Sequence, residues 1–183
     1  RGSLGTSAVK VFELTVASTG CNEKTLKREN IPYRASYTHS GSHAGYYPGA
    51  EMIAVKLLFS PGTGQLLGAQ AVGKKGVDKR IDVLATAIYA GLSAFDLEEL
   101  DLCYAPPYGS AKDPVNMAGY VASNLIKGDL EKINWDQVEE IDRENEVLLD
   151  VRSRIEVKTS GSIEGAVHIP IDELRDRLGE LDR

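Results

Sequence analysis

The 183-residue sequence predicts an α+β fold, an antiparallel sheet with helices packed on it, followed by a shorter α/β segment. Three observations predict it. Up to residue 74 the chain is built of short β-branched and apolar runs separated by turn residues, the pattern of strands. From residue 77 the apolar spacing switches to the helical period of about 3.6. Beyond residue 134, strand-like and helix-like runs alternate. Strands followed by helices point to α+β, and alternation points to α/β.

The elements follow in order. Residues 8–16 (AVKVFELTV) read as a strand, and residues 22–29 (NEKTLKRE) as a short helix capped by Asn22. Strands are expected at 33–39, 51–59 and 66–74; the last two flank SPGTGQ, a strong turn signal, and should form an antiparallel hairpin. In 77–91, Ile81, Leu84 and Ile88 share one helical face and Gly91 closes the helix. A shorter helix at 93–99 has Ser93 as its N-cap. A third helix starts with Asp113 at the N-cap and Pro114 at N1, and stops at Gly128. Its Ala118, Gly119, Ala122 and Ser123 are small, so a neighbour can approach its backbone closely. Residues 129–133 read as a linker. INWDQVEEIDRENEVLLDVRS reads as a short helix and then a strand at 146–151, GAVHIP as another short strand, and IDELRDRLGEL as a closing amphipathic helix.

The chain thus divides into a first domain at 1–128, the linker 129–133 and a second segment at 134–183. The charge supports two units of different origin: residues 1–133 carry 14 basic and 13 acidic side chains, and residues 134–183 carry 7 and 14. The second segment is short for a doubly wound fold and is expected to be incomplete, and disordered or loosely packed.

Composition excludes several function classes. The net charge of -6 gives no reason to expect nucleic-acid binding. No apolar run approaches the roughly 20 residues that span a bilayer. RGSLGTSAVKVF lacks the basic-then-apolar pattern of a signal peptide, and a first residue other than Met leads us to expect a piece of a longer chain. Two distant cysteines, Cys21 and Cys103, form no CxxC pattern; this argues against a disulfide scaffold or zinc site and leads us to expect a reducing cytoplasm.

Few residues carry obvious chemistry. Gly62, Gly64 and Gly68 have the spacing GxGxxxG rather than GxGxxG and lie within the expected hairpin, so they read as a turn and not as a phosphate cradle. No two of His39, His43 and His168 have metal-ligand spacing on a helix; the first two are expected in a solvated loop, the third in a structural role. Both cysteines read as small structural residues, although Cys21 precedes a helix N-terminus, where a thiol can be activated. Tyr46 and Tyr47 lie in AGYYPG, and Tyr104 and Tyr108 in CYAPPYGSAKDP. An ordinary phenol is protonated at neutral pH and can donate to a thiolate or peroxide oxygen on a rigid loop. Such tyrosines can equally pack a loop against the sheet or fill an interface, and both readings stand open here.

Residues 5–20 (GTSAVKVFELTVASTG), NEKTLK, YYPG, LLGAQAVG, KRIDVLATAI and above all 104–124 (YAPPYGSAKDPVNMAGYVASN) closely resemble the dimerisation domain of single-cysteine pyridine nucleotide-disulfide oxidoreductases. That group includes coenzyme A-disulfide reductases, NADH oxidases and NADH peroxidases. The His–Glu acid/base pair of the glutathione-reductase branch has no counterpart here, which favours the single-cysteine branch. Residues 147–174, through LLDVR and GAVHIP, resemble the start of a rhodanese-like domain, whose sulfur-loading cysteine lies downstream of this segment.

The resemblance implies a flavin-dependent NAD(P)H:disulfide oxidoreductase as parent, of the coenzyme A-disulfide or persulfide reductase type fused to a rhodanese. It implies a homodimer through the first domain, with FAD and NAD(P)H bound by the parent and neither by this piece, which alone is expected to be inactive. Tyr46 and Tyr104 match loop tyrosines that reach across the dimer to the partner's active site, with Tyr47 and Tyr108 as alternatives. An NADH oxidase or peroxidase parent, or an interaction module with no catalytic part, are the other readings; a complete rhodanese is disfavoured by the missing cysteine loop.

Overall fold

The computed structural model describes residues 2–181; Arg1, Asp182 and Arg183, the outermost residues of the two expected domains, lie outside the described residues. The chain separates into two units, one ending at Lys132 and the other beginning at Ile133.

The first unit opens on a hairpin. β1 (Ser7–Val11) and β2 (Leu14–Gly20) pair antiparallel around Phe12 and Glu13. The single strand expected over 8–16 is therefore two. The β-branched run continues through both, and only the left-handed backbone at Phe12 (φ 50°) marks the reversal, at a residue type that carries no turn signal. α1 (Glu23–Arg28) follows, with Asn22 accepting from the Thr25 amide at its N-cap as expected. β3 (Arg34–Gly41), β4 (Met52–Phe59) and β5 (Leu66–Gly73) complete an antiparallel sheet of order β1-β2-β5-β4-β3, with the β4–β5 hairpin where SPGTGQ predicts it.

Alternation decides the faces. Ile53, Val55, Leu57 and Phe59 of β4, with Ala69 and Ala71 of β5, are buried beneath the helices. α2 (Val77–Ala90) covers β2 and β5 and sends in Val77, Ile81, Leu84 and Ala87; α4 (Pro114–Lys127) covers β3 and β4. Burying each such Leu, Ile or Phe contributes about 1.5–3 kcal/mol. Gly91 and Gly128 end these two helices in left-handed conformations, as the spacing predicts. α3 (Ala94–Glu99), capped by Ser93, packs against α4. Arg34 of β3 donates to the Leu125 carbonyl in the last turn of α4 at 2.6 Å, a cation placed where the helix dipole favours it.

The opposite face of the sheet is open. Val9, Val16, Val72, Ala54 and His39 face one another across successive strands, and Tyr37 and Lys56 continue the same face. Lys56 pairs with Glu23 of α1 at 2.7 Å, and that hydrogen bond holds the Glu23 carboxyl below its usual range.

The second unit has β6 (Leu149–Asp150) and β7 (Val167–His168) paired parallel, with α5 (Arg154–Ser160) between them in the chain. The sequence reading missed α5, although Ser153 and Glu156 form a capping box at its start. The short helix expected near 135 is a 3₁₀ segment over Trp135–Glu140, and the strand expected at 146–151 is two residues long. The closing helix is α6 (Ile171–Leu174) continued by a 3₁₀ segment over Arg175–Glu180. Among the described residues of this unit, Ile169 is a large and fully buried side chain. Arg152 forks onto Asp150 and also reaches the Gly161 carbonyl at 2.8 Å; its side-chain and amide hydrogen bonds hold the Asp150 carboxyl down to about 2.

Candidate functional site

Two loops carry the four tyrosines, and each is built from local signals. The first, residues 42–51, joins β3 to β4. Its base is closed twice: the Ser42 amide donates to the Glu51 carbonyl at 2.7 Å, and the Glu51 amide donates to the Ser42 hydroxyl at 3.1 Å. A turn follows, in which the Tyr47 amide donates to the Ala44 carbonyl at 2.9 Å. His43 lies beneath this turn, buried, with Nδ1 3.2 Å from the Ser42 hydroxyl and Nε2 3.4 Å from the Pro48 carbonyl. The assignment that satisfies every group has the Ser42 hydroxyl donating to Nδ1 and the Nε2 proton directed at Pro48. The His43 ring meets Tyr47 edge-on, with centroids 5.9 Å apart.

The histidines thus differ from expectation. His43 is a packed structural group under the turn and not a solvated loop residue, because its two nitrogens find partners on both sides of the loop. His39 belongs to β3, on the open face. His168 lies in β7 with Nε2 2.8 Å from the Arg152 carbonyl, a structural contact as read.

The second loop, residues 100–113, joins α3 to α4. Ala105 accepts from the amides of Tyr108 (2.8 Å) and Gly109 (3.0 Å), so the Pro-Pro segment closes into a turn behind Tyr104. Gly109 is buried against Tyr104, where a Cβ would lie 3.3 Å from the tyrosine Cβ. The loop ends on Asp113, whose carboxylate caps α4 by accepting from the Val115 amide. Asn116 completes the capping box and also donates to the carbonyls of Leu97 and Leu100, fixing α3 to α4 at the root of the loop.

The structure brings the two loops together. The Ala44 amide donates to the Gly109 carbonyl at 3.2 Å. Below that bond, the buried Arg80 of α2 forks onto Asp113 at 2.7–3.2 Å and donates to the Ser42 carbonyl at 2.7 Å. All four phenols face outward: Tyr46 is 84% exposed, Tyr104 59%, Tyr108 72% and Tyr47 42%. Hydrogen-bonded roots therefore present closed backbone turns with exposed aromatic tips. Exposed to this extent, Tyr46 and Tyr104 are available to fill an interface as well as to act as donors.

Arg80 escaped the sequence reading, yet a signal was available. It falls on the buried stripe of α2 with Val77, Ile81 and Leu84, where a charge needs a partner. Cys103 is exposed beside Tyr104, in place of the core position expected of a lone cysteine, and Cys21 is a partly buried free thiol before α1. Among the described residues, no cluster of three or more His, Cys, Asp or Glu could hold a metal ion, and no helix is long and apolar enough to cross a membrane.

The run of Gly62, Gly64 and Gly68 does not form a phosphate cradle. Gly64 turns the β4–β5 hairpin in a left-handed conformation against Phe95 and Ile126, and Gly68 passes the Cys21 backbone so closely that no side chain fits there. Neither glycine opens a helix, so no phosphate cradle exists at this run.

Residues 6–114 match the family described as pyridine nucleotide-disulphide oxidoreductase, dimerisation domain. The coenzyme A disulfide reductase of Staphylococcus haemolyticus is 46% identical over 125 residues, which are 68% of this chain and 28% of that protein. The chain therefore spans under a third of the length of such curated relatives. The crystal structure of reduced CoADR-RHD from Bacillus anthracis is 54% identical with a TM-score of 0.92, over 98% of this chain and 32% of that one. A NAD-dependent persulfide reductase from A. fulgidus is 43% identical with a TM-score of 0.88, over 99% of this chain and 32% of that one.

Proposed function

Since the chain belongs to the pyridine nucleotide-disulphide oxidoreductase dimerisation-domain family, we propose that it supplies that domain, and two trans-acting tyrosines, to a flavin-dependent NAD(P)H:disulfide oxidoreductase of the coenzyme A-disulfide or persulfide reductase type. The observation that carries the reading is the pair of loops bonded through Ala44 and Gly109, each holding an exposed phenol. FAD and NAD(P)H are assigned to other parts of the parent.

The chemistry asked of this chain is limited and concrete. Thiol–disulfide exchange needs a thiolate that attacks one sulfur while the other leaves as a thiolate. Negative charge grows on the leaving sulfur as the S–S bond breaks. An O–H of Tyr46 or Tyr104, carried on a loop with a hydrogen-bonded root, donates a hydrogen bond to that charge. The phenols are exposed on their own unit, which supports the reading that the sulfur they serve belongs to a second subunit of a homodimer. The second unit is read as the start of a rhodanese-like domain, supported by the parallel pairing of β6 and β7 at LLDVR and GAVHIP and by an alignment to CoADR-RHD that covers 98% of the chain.

Tyr46→Phe and Tyr104→Phe in the full-length enzyme test the reading. Turnover of a coenzyme A disulfide should fall by about 100-fold when both are changed, the cost of losing donors to a developing anion, with flavin content unchanged. An unaltered rate removes the catalytic role and leaves a dimerisation module. Light scattering of this chain at micromolar concentration should give a dimer, and a monomer counts against the homodimer.

A further inference from the structure

We infer that Arg80 is the positioning residue of the site: one guanidinium, on a helix that carries none of the four tyrosines, holds the roots of both tyrosine loops in a fixed relation. The inference deepens the reading above and rests on it.

The geometry is specific to arginine. Nε and Nη2 fork onto Asp113, the last residue of the 100–113 loop; Nη2 also donates to the carbonyl of Ser42, the first residue of the 42–51 loop, at 2.7 Å; and Nη1 donates to Gly76 at 3.2 Å. The side chains of Arg80 and Asp113 are 2% and 5% exposed. A buried ion pair is weak evidence for stability, because an apolar pair of similar volume often serves as well. What an apolar pair cannot do is bond a loop carbonyl and a loop-terminal carboxylate at once. A lysine cannot do it in the same way, being a point charge without a planar fork. The helix cap does not need Arg80, since Asp113 accepts from the Val115 amide through Oδ1 independently. Besides its bond to Gly76 and its pairing with Asp113, the arginine thus supplies a link between the two loops. Small displacements of a donor relative to the reacting atoms cost rate steeply, so that link bears on turnover.

Arg80→Lys in the full-length enzyme keeps a cation beside Asp113 and removes the fork. The expected result is a fall of about 100-fold in kcat with a coenzyme A disulfide, at unchanged KM for NAD(P)H and an unchanged rate of flavin reduction in the absence of disulfide. In a Tyr46→Phe/Tyr104→Phe background the same change should cost almost nothing further. An equal loss in both backgrounds, or no loss in the native one, overturns the inference while leaving the tyrosine reading intact. Wild-type turnover by the double tyrosine variant is a different pattern; it sinks the tyrosine reading and the inference with it. If Arg80→Lys yields no soluble flavoprotein, hydrogen exchange on the unaltered chain decides. The Ala44 amide, bonded to Gly109 above the guanidinium, should exchange at least about 100-fold more slowly than in a free peptide. Exchange at the free-peptide rate overturns a held junction.

Discussion

Gly119 of α4 runs so close to Leu97 of α3 that a Cβ on the glycine would lie 2.7 Å from the leucine Cβ and 3.0 Å from the Ala94 carbonyl oxygen. Both neighbours are parts of a rigid element, so neither can yield cheaply. Gly119→Ala should therefore destabilise the first unit by about 1–3 kcal/mol despite the better helix propensity of alanine. Urea unfolding followed by far-UV circular dichroism measures it, and a gain in stability would show that α3 can slide.

Asp113 is both the cap of α4 and the partner of Arg80. Asp113→Asn keeps an oxygen for the Val115 amide but leaves the buried guanidinium uncompensated. Asp113→Ala loses the cap as well. Breaking the pair should cost about 3–5 kcal/mol in either variant. The alanine variant should lose about 1 kcal/mol more for the cap. Equal losses in the two variants, read from urea midpoints at constant slope, would show that the cap contributes nothing.

The Asp150 carboxyl, held down to about 2 by the Arg152 hydrogen bonds, predicts an acid limb. A depressed carboxylate contributes stability that is full above its unfolded value of 3.8 and is lost as pH falls through the folded value near 2. The second unit should accordingly weaken between about pH 4 and pH 2. Direct titration of the Asp150 carboxyl carbon by NMR should find its midpoint near 2, and a midpoint near 3.8 would show that the fork does not form in solution.

Phe12 stands at the tip of the β1–β2 hairpin, 95% exposed and with φ at 50°. A left-handed backbone is costly for a residue with a Cβ, and an exposed ring recovers little of that by packing. Phe12→Gly should stabilise the first unit by about 0.5–1 kcal/mol, read as a rise in the thermal midpoint. A loss of stability would mean that the ring packs in a way its exposure does not reveal.

Much of the first unit was legible in the sequence because its signals are local. Asn22, Ser93 and Asp113 cap helices through amides two or three residues away, and Gly91 and Gly128 end them by their own backbone conformation. The β4–β5 hairpin is specified by its turn. The β1–β2 hairpin escaped because a phenylalanine occupies the position that usually announces a reversal. In the second unit both short strands were expected, the first of them too long, and α5 escaped although its capping box is a local signal.

Taken alone, the sequence determined most of the helices and strands and where most of them stop, that tyrosines sit on Pro- and Gly-rich loops, and which family those segments resemble. Each of these depends on contacts within a few residues or on patterns of whole segments. Only the tertiary structure decided the strand order, the buried place of His43 and the junction of the two tyrosine loops. The Ala44–Gly109 bond and the Arg80 fork join residues distant along the chain, and they form only once α2, α4 and the end of β3 have packed around a common point.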